Sequence, residues 1–262
     1  MEKMIEEAKG DKTKEREIKE KQLVGIEYQP DIYALLISNM MIHRDGKTSM
    51  YPGDCFKESK KVKQKYSPTI GLLNPPYKTK GTLTEELTFV LNNLDTLEEN
   101  GRCVALIPMS CVTETDGIAK ELKSQILKKH TLEAVMSMPE ALFHGQANVV
   151  TCTLVITAHK PHPEGQKTWF GYCRDDGYAL LRHKGRVDKN HTWQEIKARW
   201  VNAFRNREVI DKFSLTKEVT PEDEWCAEAY MVTDYSTIKE ADFTEEIKNY
   251  IAHQFINKQE LK

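Results

Sequence analysis

Thr69-Ile-Gly-Leu-Leu-Asn-Pro-Pro-Tyr77, then Glu85-Glu-Leu-Thr-Phe-Val-Leu-Asn-Asn-Leu-Asp-Thr-Leu97, then Arg102-Cys-Val-Ala-Leu-Ile107 set the architecture of this chain. The first segment is a short apolar run that ends in a proline corner. The second places Leu87, Val90, Leu91, Leu94 and Leu97 at helical spacing, and the third is again apolar. Thr82-Leu-Thr-Glu85 reads as a capping box that starts the helix, and Asn100-Gly101 stops it. Together they make one strand–helix–strand unit, and the pattern continues on both sides. Upstream, Leu23–Glu27 reads as a strand. Tyr28-Gln-Pro30-Asp31 then opens a helix with Ile32, Leu35, Leu36, Asn39 and Met40 on one face, stopping by Asp45-Gly46. Thr48–Tyr51 is a further short strand that runs into Pro52-Gly53-Asp54-Cys55-Phe56. Downstream, a helix carries Ile118, Leu122 and Ile126, and strands follow at Thr131–Met138 and Val149–Thr157. Strands alternating with helices predict an α/β fold with a mostly parallel sheet flanked by helices.

Three segments are expected. Residues 1–20 form a polar helical leader with a thin apolar face, and residues 21–158 form the core. His159-Lys-Pro161-His-Pro163-Glu-Gly165 then reads as a hinge, so that residues 159–262 form a hairpin and helical extension. Its hairpin is expected from Lys167–Cys173 and Tyr178–Arg182 around Asp175-Asp-Gly177. Thr192-Trp-Gln-Glu195 opens one helix, and Phe243, Ile247, Tyr250, Ile251 and Phe255 mark another.

Composition narrows the classes. Lys and Arg total 38 against 40 Asp and Glu, a net charge of −2, so anionic partners have to be held by local patches. No apolar run approaches the roughly 18 residues that cross a bilayer, and no membrane role is expected. Six cysteines, among them Cys103 and Cys152 in apolar strands, contain no CxxC pair. They read as buried thiols of a reducing, cytoplasmic setting and not as a zinc site. His159 and His162 read as linker histidines, and no metal is expected.

Chemistry concentrates at Asn74-Pro75-Pro76-Tyr77. Open parallel sheets place their ligands at the carboxyl ends of strands, which is where this tetrapeptide falls. The two prolines fix φ and remove two backbone donors, leaving carbonyl oxygens and one amide side chain in a stiff frame beside an aromatic. Such a corner suits a planar amine: Asn74 Oδ1 and a proline carbonyl accept from an NH2 group, and Tyr77 stacks on the ring.

At these residues the chain resembles the adenine-specific DNA methyltransferases, which use S-adenosylmethionine and carry an Asn-Pro-Pro-Tyr/Phe motif. The resemblance runs from about Lys21 through Arg186 and implies a Rossmann-like methyltransferase fold. By it, Asn74, Pro75, Pro76 and Tyr77 are the catalytic motif. Glu27 binds the cofactor ribose, Asp54 with Cys55 holds the cofactor adenine, and Phe143, in Pro139-Glu-Ala-Leu-Phe143, lies with Tyr77 against an extruded base. Read from the residues alone, Glu27 and Asp54 serve equally as caps of the turns that follow them, and Phe143 as core. The stretch Trp169–Tyr178 followed by His183-Lys-Gly-Arg186 resembles the hairpin of type I restriction–modification methylase subunits. That implies double-stranded DNA, a specificity subunit and possible association with a restriction subunit as partners.

The family's Gly-rich first motif finds no match in residues 1–26, whose glycines are Gly10 and Gly25. The resemblance therefore implies an amino-terminally truncated chain without the first, central strand, completed by a separate segment or by self-association. Two alternatives stay open. One is an inactive fragment that serves as an assembly or DNA-contacting module, and the other is a protein-glutamine or ribosomal-RNA-guanine methyltransferase.

Overall fold

The computed structural model describes residues 2–42, 49–77, 85–145, 149–181, 184–232 and 239–259. The expected helix stop at Asp45-Gly46, Thr82–Thr84 of the capping box, and Arg182 and His183 lie outside them. The chain divides into Met1–Tyr230 and Met231–Lys262. The second unit contains one helix, α9 (Glu240–Gln259).

The first unit begins with two short helices, α1 (Glu2–Glu7) and α2 (Lys12–Lys21). Asp11 caps α2 by accepting from the backbone N–H groups of Thr13 and Lys14. There follow β1 (Gly25–Glu27), α3 (Pro30–Ile42), β2 (Met50–Pro52), α4 (Cys55–Tyr66), β3 (Ile70–Leu73), α5 (Glu86–Thr96) and β4 (Arg102–Pro108). After these come α6 (Ser110–Thr113), α7 (Gly117–Lys129), β5 (Thr131–Ser137) and β6 (Thr151–Thr157). The unit ends with β7 (Lys167–Tyr172), β8 (Ala179–Leu181), β9 (Gly185–Val187), α8 (Trp193–Asn206) and β10 (Ser214–Glu218).

The strands form a parallel β1–β2 pair, a six-stranded sheet in the order β10-β7-β5-β6-β4-β3, and a β8–β9 hairpin. In the six-stranded sheet, four strands run one way, and β6 and β10 run the other. The direction matches the expected mostly parallel sheet, yet three of the five ladders are antiparallel. Two of these belong to β6, which follows β5 with no helix between them among the described residues and pairs beside it in reverse, and the third joins β10 to β7. Among the described residues, β1 pairs only with β2 and β3 only with β4.

One expectation is corrected. β7 does not form a hairpin with the strand after Asp175-Asp-Gly177. It pairs in parallel with β5 and antiparallel with β10, while β8 pairs with β9. Thr168, Trp169, Phe170 and Gly171 are all buried, so both faces of β7 are covered, unlike a half-exposed hairpin strand. Gly177, at φ +75°, instead closes a local turn with its N–H on Asp175 Oδ1. The expected boundary at residue 158 thus falls inside one continuous sheet.

Leu87, Val90 and Leu94 of α5 and Leu122 and Ile126 of α7 supply much of the core. Lys123 lies within this apolar surround, its Nζ donating to the carbonyl oxygens of Glu114 (2.6 Å) and Asp223 (2.8 Å) over the Trp225 ring. It ties α7 to the segment after β10, a bond between residues far apart in sequence.

His159 and His162, expected as exposed linker histidines, are both half-buried and bonded: His162 Nε2 lies 3.2 Å from the Gln166 carbonyl oxygen, and His159 packs against His130. His130 Nδ1 accepts from His159 N–H at 3.0 Å, and His159 Nε2 sits 2.9 Å from the Leu97 carbonyl oxygen. His130 Nε2 is buried with no partner. Burial drives the His130 pKa down to about 4; Asp95 opposes this, while His159 and Lys129 add to it. Below pH ~6.5 the unfolded chain takes up a proton that folded His130 refuses, so stability falls as the pH drops from ~6.5 to ~4. The expected loss is about 3 kcal/mol. Urea unfolding at several pH values checks this: His130→Asn should flatten that share of the slope and leave a smaller one of the same sign from His162, whose pKa burial also lowers.

Candidate active site

β3 delivers the Asn74–Tyr77 corner. Its residues pair in parallel with β4, so Asn74 emerges at the carboxyl end of a strand anchored on one side. Pro75 is buried and pins the corner, while Asn74 and Pro76 are exposed. The Asn74 amide makes no hydrogen bond among the described residues, so its donor and acceptor are open to a ligand.

Tyr77 and Phe143 lie against each other. Their ring centroids are 5.8 Å apart and their planes stand at 89°, an edge-to-face pair. The Tyr77 hydroxyl is buried without a partner, and burial, with Cys152, Cys111 and Glu86 nearby, raises its pKa to about 12. It is a neutral phenol at any working pH, so the ring face is its useful surface.

The turn that carries Phe143 is tied down where it leaves β5. The buried Ser137 hydroxyl donates to Glu228 Oε2 at 2.6 Å, and Arg174 Nε donates to Glu228 Oε1 at 3.0 Å. Arg174 Nη1 also donates to the Met138 carbonyl at 3.2 Å. These bonds join β5, the end of β7 and the segment after β10, a closure that residue spacing alone does not reveal.

Glu27 and Asp54 form a second group. β1 and β2 pair Glu27 with Pro52, and Gly53 N–H donates to the Glu27 carbonyl at 2.9 Å, so both acids stand at neighbouring strand ends. Each spends one oxygen on its own turn. Glu27 Oε1 accepts from Gln29 N–H at 2.7 Å, and Asp54 Oδ1 accepts from Phe56 N–H at 2.9 Å as the N-cap of α4. The capping use is therefore real, and it leaves the second oxygen of each carboxylate for a ligand. Burial, then the Asp54 charge, pushes the Cys55 thiol up, so it is no nucleophile near neutral pH. Cys55 links the two groups: it lines one cavity with Leu73, and its carbonyl accepts from Asn92 Nδ2 at 3.3 Å.

A second cavity, of about 470 Å³, opens beside Tyr77 and is walled by Glu86, Pro108, Ser110, Cys111 and Glu114. Cys111 Sγ donates to Glu86 Oε2 at 3.4 Å, and burial holds the thiol protonated. Sequence reading missed this wall. Its one local signal is Glu86, an acid in the buried stripe that continues as Val90 and Leu94, and only 3% exposed. Among the described residues no group of three or more metal-ligating side chains gathers. No described helix is long and apolar enough to cross a membrane.

The N-6 DNA Methylase family model matches residues 2–259. The type II restriction enzyme and methyltransferase RM.BcgI of Heyndrickxia coagulans is 30% identical over 260 residues, which is 97% of this chain and 40% of that protein. A chain from a structure of a type I R-M system superposes with a TM-score of 0.68 at 18% identity, over 99% of this chain and 58% of its own length. A modification subunit of a putative type I restriction enzyme from Vibrio vulnificus YJ016 gives 0.62 at 18%, over 80% of this chain and 46% of that one. The chain thus spans 40% to 58% of the length of these relatives, and shares the fold of the two solved chains.

Proposed function

We propose, from the premise that this chain belongs to the N-6 DNA methylase family, that it methylates N6 of adenine in DNA as the modification part of a restriction–modification assembly of the type I kind. The observation that supports this most is the Asn74–Tyr77 corner at the end of β3, with Tyr77 edge-on to Phe143 beside a cavity. A glutamine side chain also fits an Asn-Pro-Pro corner, but a paired aromatic wall is built for a flat ring. Specificity and restriction subunits are the protein partners this reading implies, double-stranded DNA is the substrate, and the cytoplasm is where they meet.

The residues present fit S-adenosylmethionine on its adenosine side. Two half-buried carboxylates at adjoining strand ends, each with one oxygen unspent, match a ribose diol (Glu27) and an adenine amine (Asp54). The cofactor, when bound, supplies an electrophilic methyl group. This chain's own residues handle the base. Extrusion of adenine from the duplex costs a few kcal/mol, which stacking on Tyr77 partly offsets. Asn74 Oδ1 and the Pro75 carbonyl accept the two N–H bonds of the amine. Held so, the N6 lone pair is drawn out of conjugation with the ring and turned toward where the methyl group would lie; transfer would leave the cofactor as a neutral thioether and the extra N6 proton would pass to solvent, so no strong base is required, and positioning with electrostatics supplies the rate.

The test is direct. DNA incubated with the protein and methyl-labelled S-adenosylmethionine is digested to nucleosides, and the label should appear as N6-methyladenine. Label in protein glutamine or in RNA guanine instead would replace this reading. Tyr77→Ala should weaken binding to DNA with an unpaired target adenine by about 1–3 kcal/mol. Tyr77→Phe should bind as wild type does, because the buried hydroxyl has no partner to lose. Equal affinity for Tyr77→Ala would take Tyr77 out of the base pocket.

A further inference from the structure

The turn after β5 brings Phe143 to Tyr77, yet its own bonds are few. Among the described residues, Leu142 N–H donates to the Pro139 carbonyl and His144 N–H to the Ala141 carbonyl, each at 3.1 Å. Met138 N–H, where the turn leaves the sheet, donates to the Thr151 carbonyl. These bonds shape the turn locally, and a single edge-to-face contact is too weak to hold it in place.

The grip comes from outside, through Arg174 in the segment after β7. Its Nη1 donates to the Met138 carbonyl and lies 3.7 Å from Glu140 Oε1, so one guanidinium meets the turn at two points. Nε and Nη2 both donate to Glu228 Oε1, while Glu228 Oε2 accepts from the buried Ser137 hydroxyl. Both carboxylate oxygens and all three guanidinium nitrogens are engaged. The Arg174 side chain is 17% exposed, so these charge-assisted bonds are partly shielded from water and define one geometry.

Glu228 rides on a strap that is fastened without it. Trp225, fully buried, donates its backbone N–H to the Val112 carbonyl and its indole N–H to the Thr220 carbonyl, each at 2.9 Å. Val112 belongs to α6, whose Ser110 and Cys111 wall the cavity beside Tyr77. The strap therefore backs the Tyr77 site twice, at α6 through Trp225 and at the Phe143 turn through Glu228.

We propose that Arg174 and Glu228 are positioning residues that hold Phe143 edge-on to Tyr77. The consequence for function rests on the reading of these two rings as walls of an adenine site: the clamp then sets how well that site takes a flat base. Neither residue lines the cavity beside Tyr77, and their bonds run to Ser137, Met138 and Glu140, so they act through the turn.

The full chain is prepared with para-fluorophenylalanine in place of Phe143, as wild type and as Tyr77→Ala, Glu228→Ala, Glu228→Gln and Arg174→Lys. Fluorine NMR without DNA reports whether the two rings still meet, since Tyr77→Ala removes the ring current and marks the unpaired position. Glu228→Ala and Arg174→Lys should move the resonance toward that mark, because lysine has no fork to span Glu228 and Met138 together. Glu228→Gln should stay near wild type: its amide oxygen still accepts from Arg174, and its NH2 group meets Ser137 Oγ. Arg174→Lys keeps a cation beside Glu228 and gives the answer if Glu228→Ala does not fold. In parallel, a duplex carrying 2-aminopurine opposite an abasic site is titrated, with quenching as the signature of stacking in the site. Affinity should fall about tenfold in the two clamp-breaking variants and recover in Glu228→Gln. S-adenosylmethionine affinity should stay as in wild type, which general loss of structure would not allow. A wild-type resonance in the clamp-breaking variants overturns the proposal. So does a shifted resonance with wild-type affinity for the duplex. Shifts as expected with no quenching by the wild-type chain support the positioning and overturn the adenine reading instead.

Discussion

Asn74→Ala is expected to lower methyl transfer by about 10²–10³-fold or more, the scale seen when one preorganised polar contact to a reacting group is removed. The fold should not notice. Asn74 is exposed and bonds to no described residue, whereas the corner is held by buried Pro75 and by the β3–β4 ladder. Cofactor affinity should stay within about twofold, because the carboxylates assigned to the adenosine half, Glu27 and Asp54, stand on β1 and at the start of α4. Single-turnover methylation at saturating cofactor, paired with titration calorimetry of S-adenosylmethionine, separates the two. Loss of cofactor binding with turnover kept would reassign Asn74 to the cofactor. Asn74→Asp is the sharper companion, since a carboxylate still accepts but brings a charge, and activity should fall with it as well.

Trp169→Ala should destabilise the protein by about 3–5 kcal/mol, the range for truncating a large buried aromatic. Trp169 is fully buried in β7 and donates its indole N–H to the Glu208 carbonyl at 2.9 Å. It stands edge-to-face with Phe204 at 5.7 Å and packs with Ala134, Val155 and Phe213. Removing it leaves a cavity and an orphaned carbonyl together. Because β7 lies between β5 and β10 of the same sheet, the loss should shift one cooperative urea transition. A separate early transition, with the main one unmoved, would mean that β7 belongs to an appended module. A loss below about 1 kcal/mol would contradict the packing described.

The Glu27–Asp54 pair shows why a residue can be read correctly in two ways. Both acids cap the turns that follow, as any acid at a strand end tends to do, and both retain an oxygen for a ligand. The local signal and the functional signal lie in the same side chain, so spacing could not separate them.

What the sequence determined by itself is whatever is encoded within a few residues. The apolar period of Leu87, Val90, Leu91 and Leu94 makes α5, and Pro75 with Pro76 stiffens the corner after Leu73. The alternation of strand and helix makes the sheet α/β, through φ restriction and burial of one helix face. The tertiary structure alone decided the rest. It put β7 inside the sheet, reversed β6 between β4 and β5, and set Lys123 against carbonyls on two separate segments. It also placed Phe143 on Tyr77, and the Glu86–Cys111 pair beside it. The pairings among these join residues from 9 to 100 positions apart, and their cost is loop-closure entropy while their gain is shared burial. No local period records which of several apolar runs will meet. The strands β1 and β3 belong to both levels. The apolar strands were legible in the chain, but that they line one cavity in which the buried Asn93 Oδ1 finds no partner was not, because a cavity is a relation between elements and not a property of either.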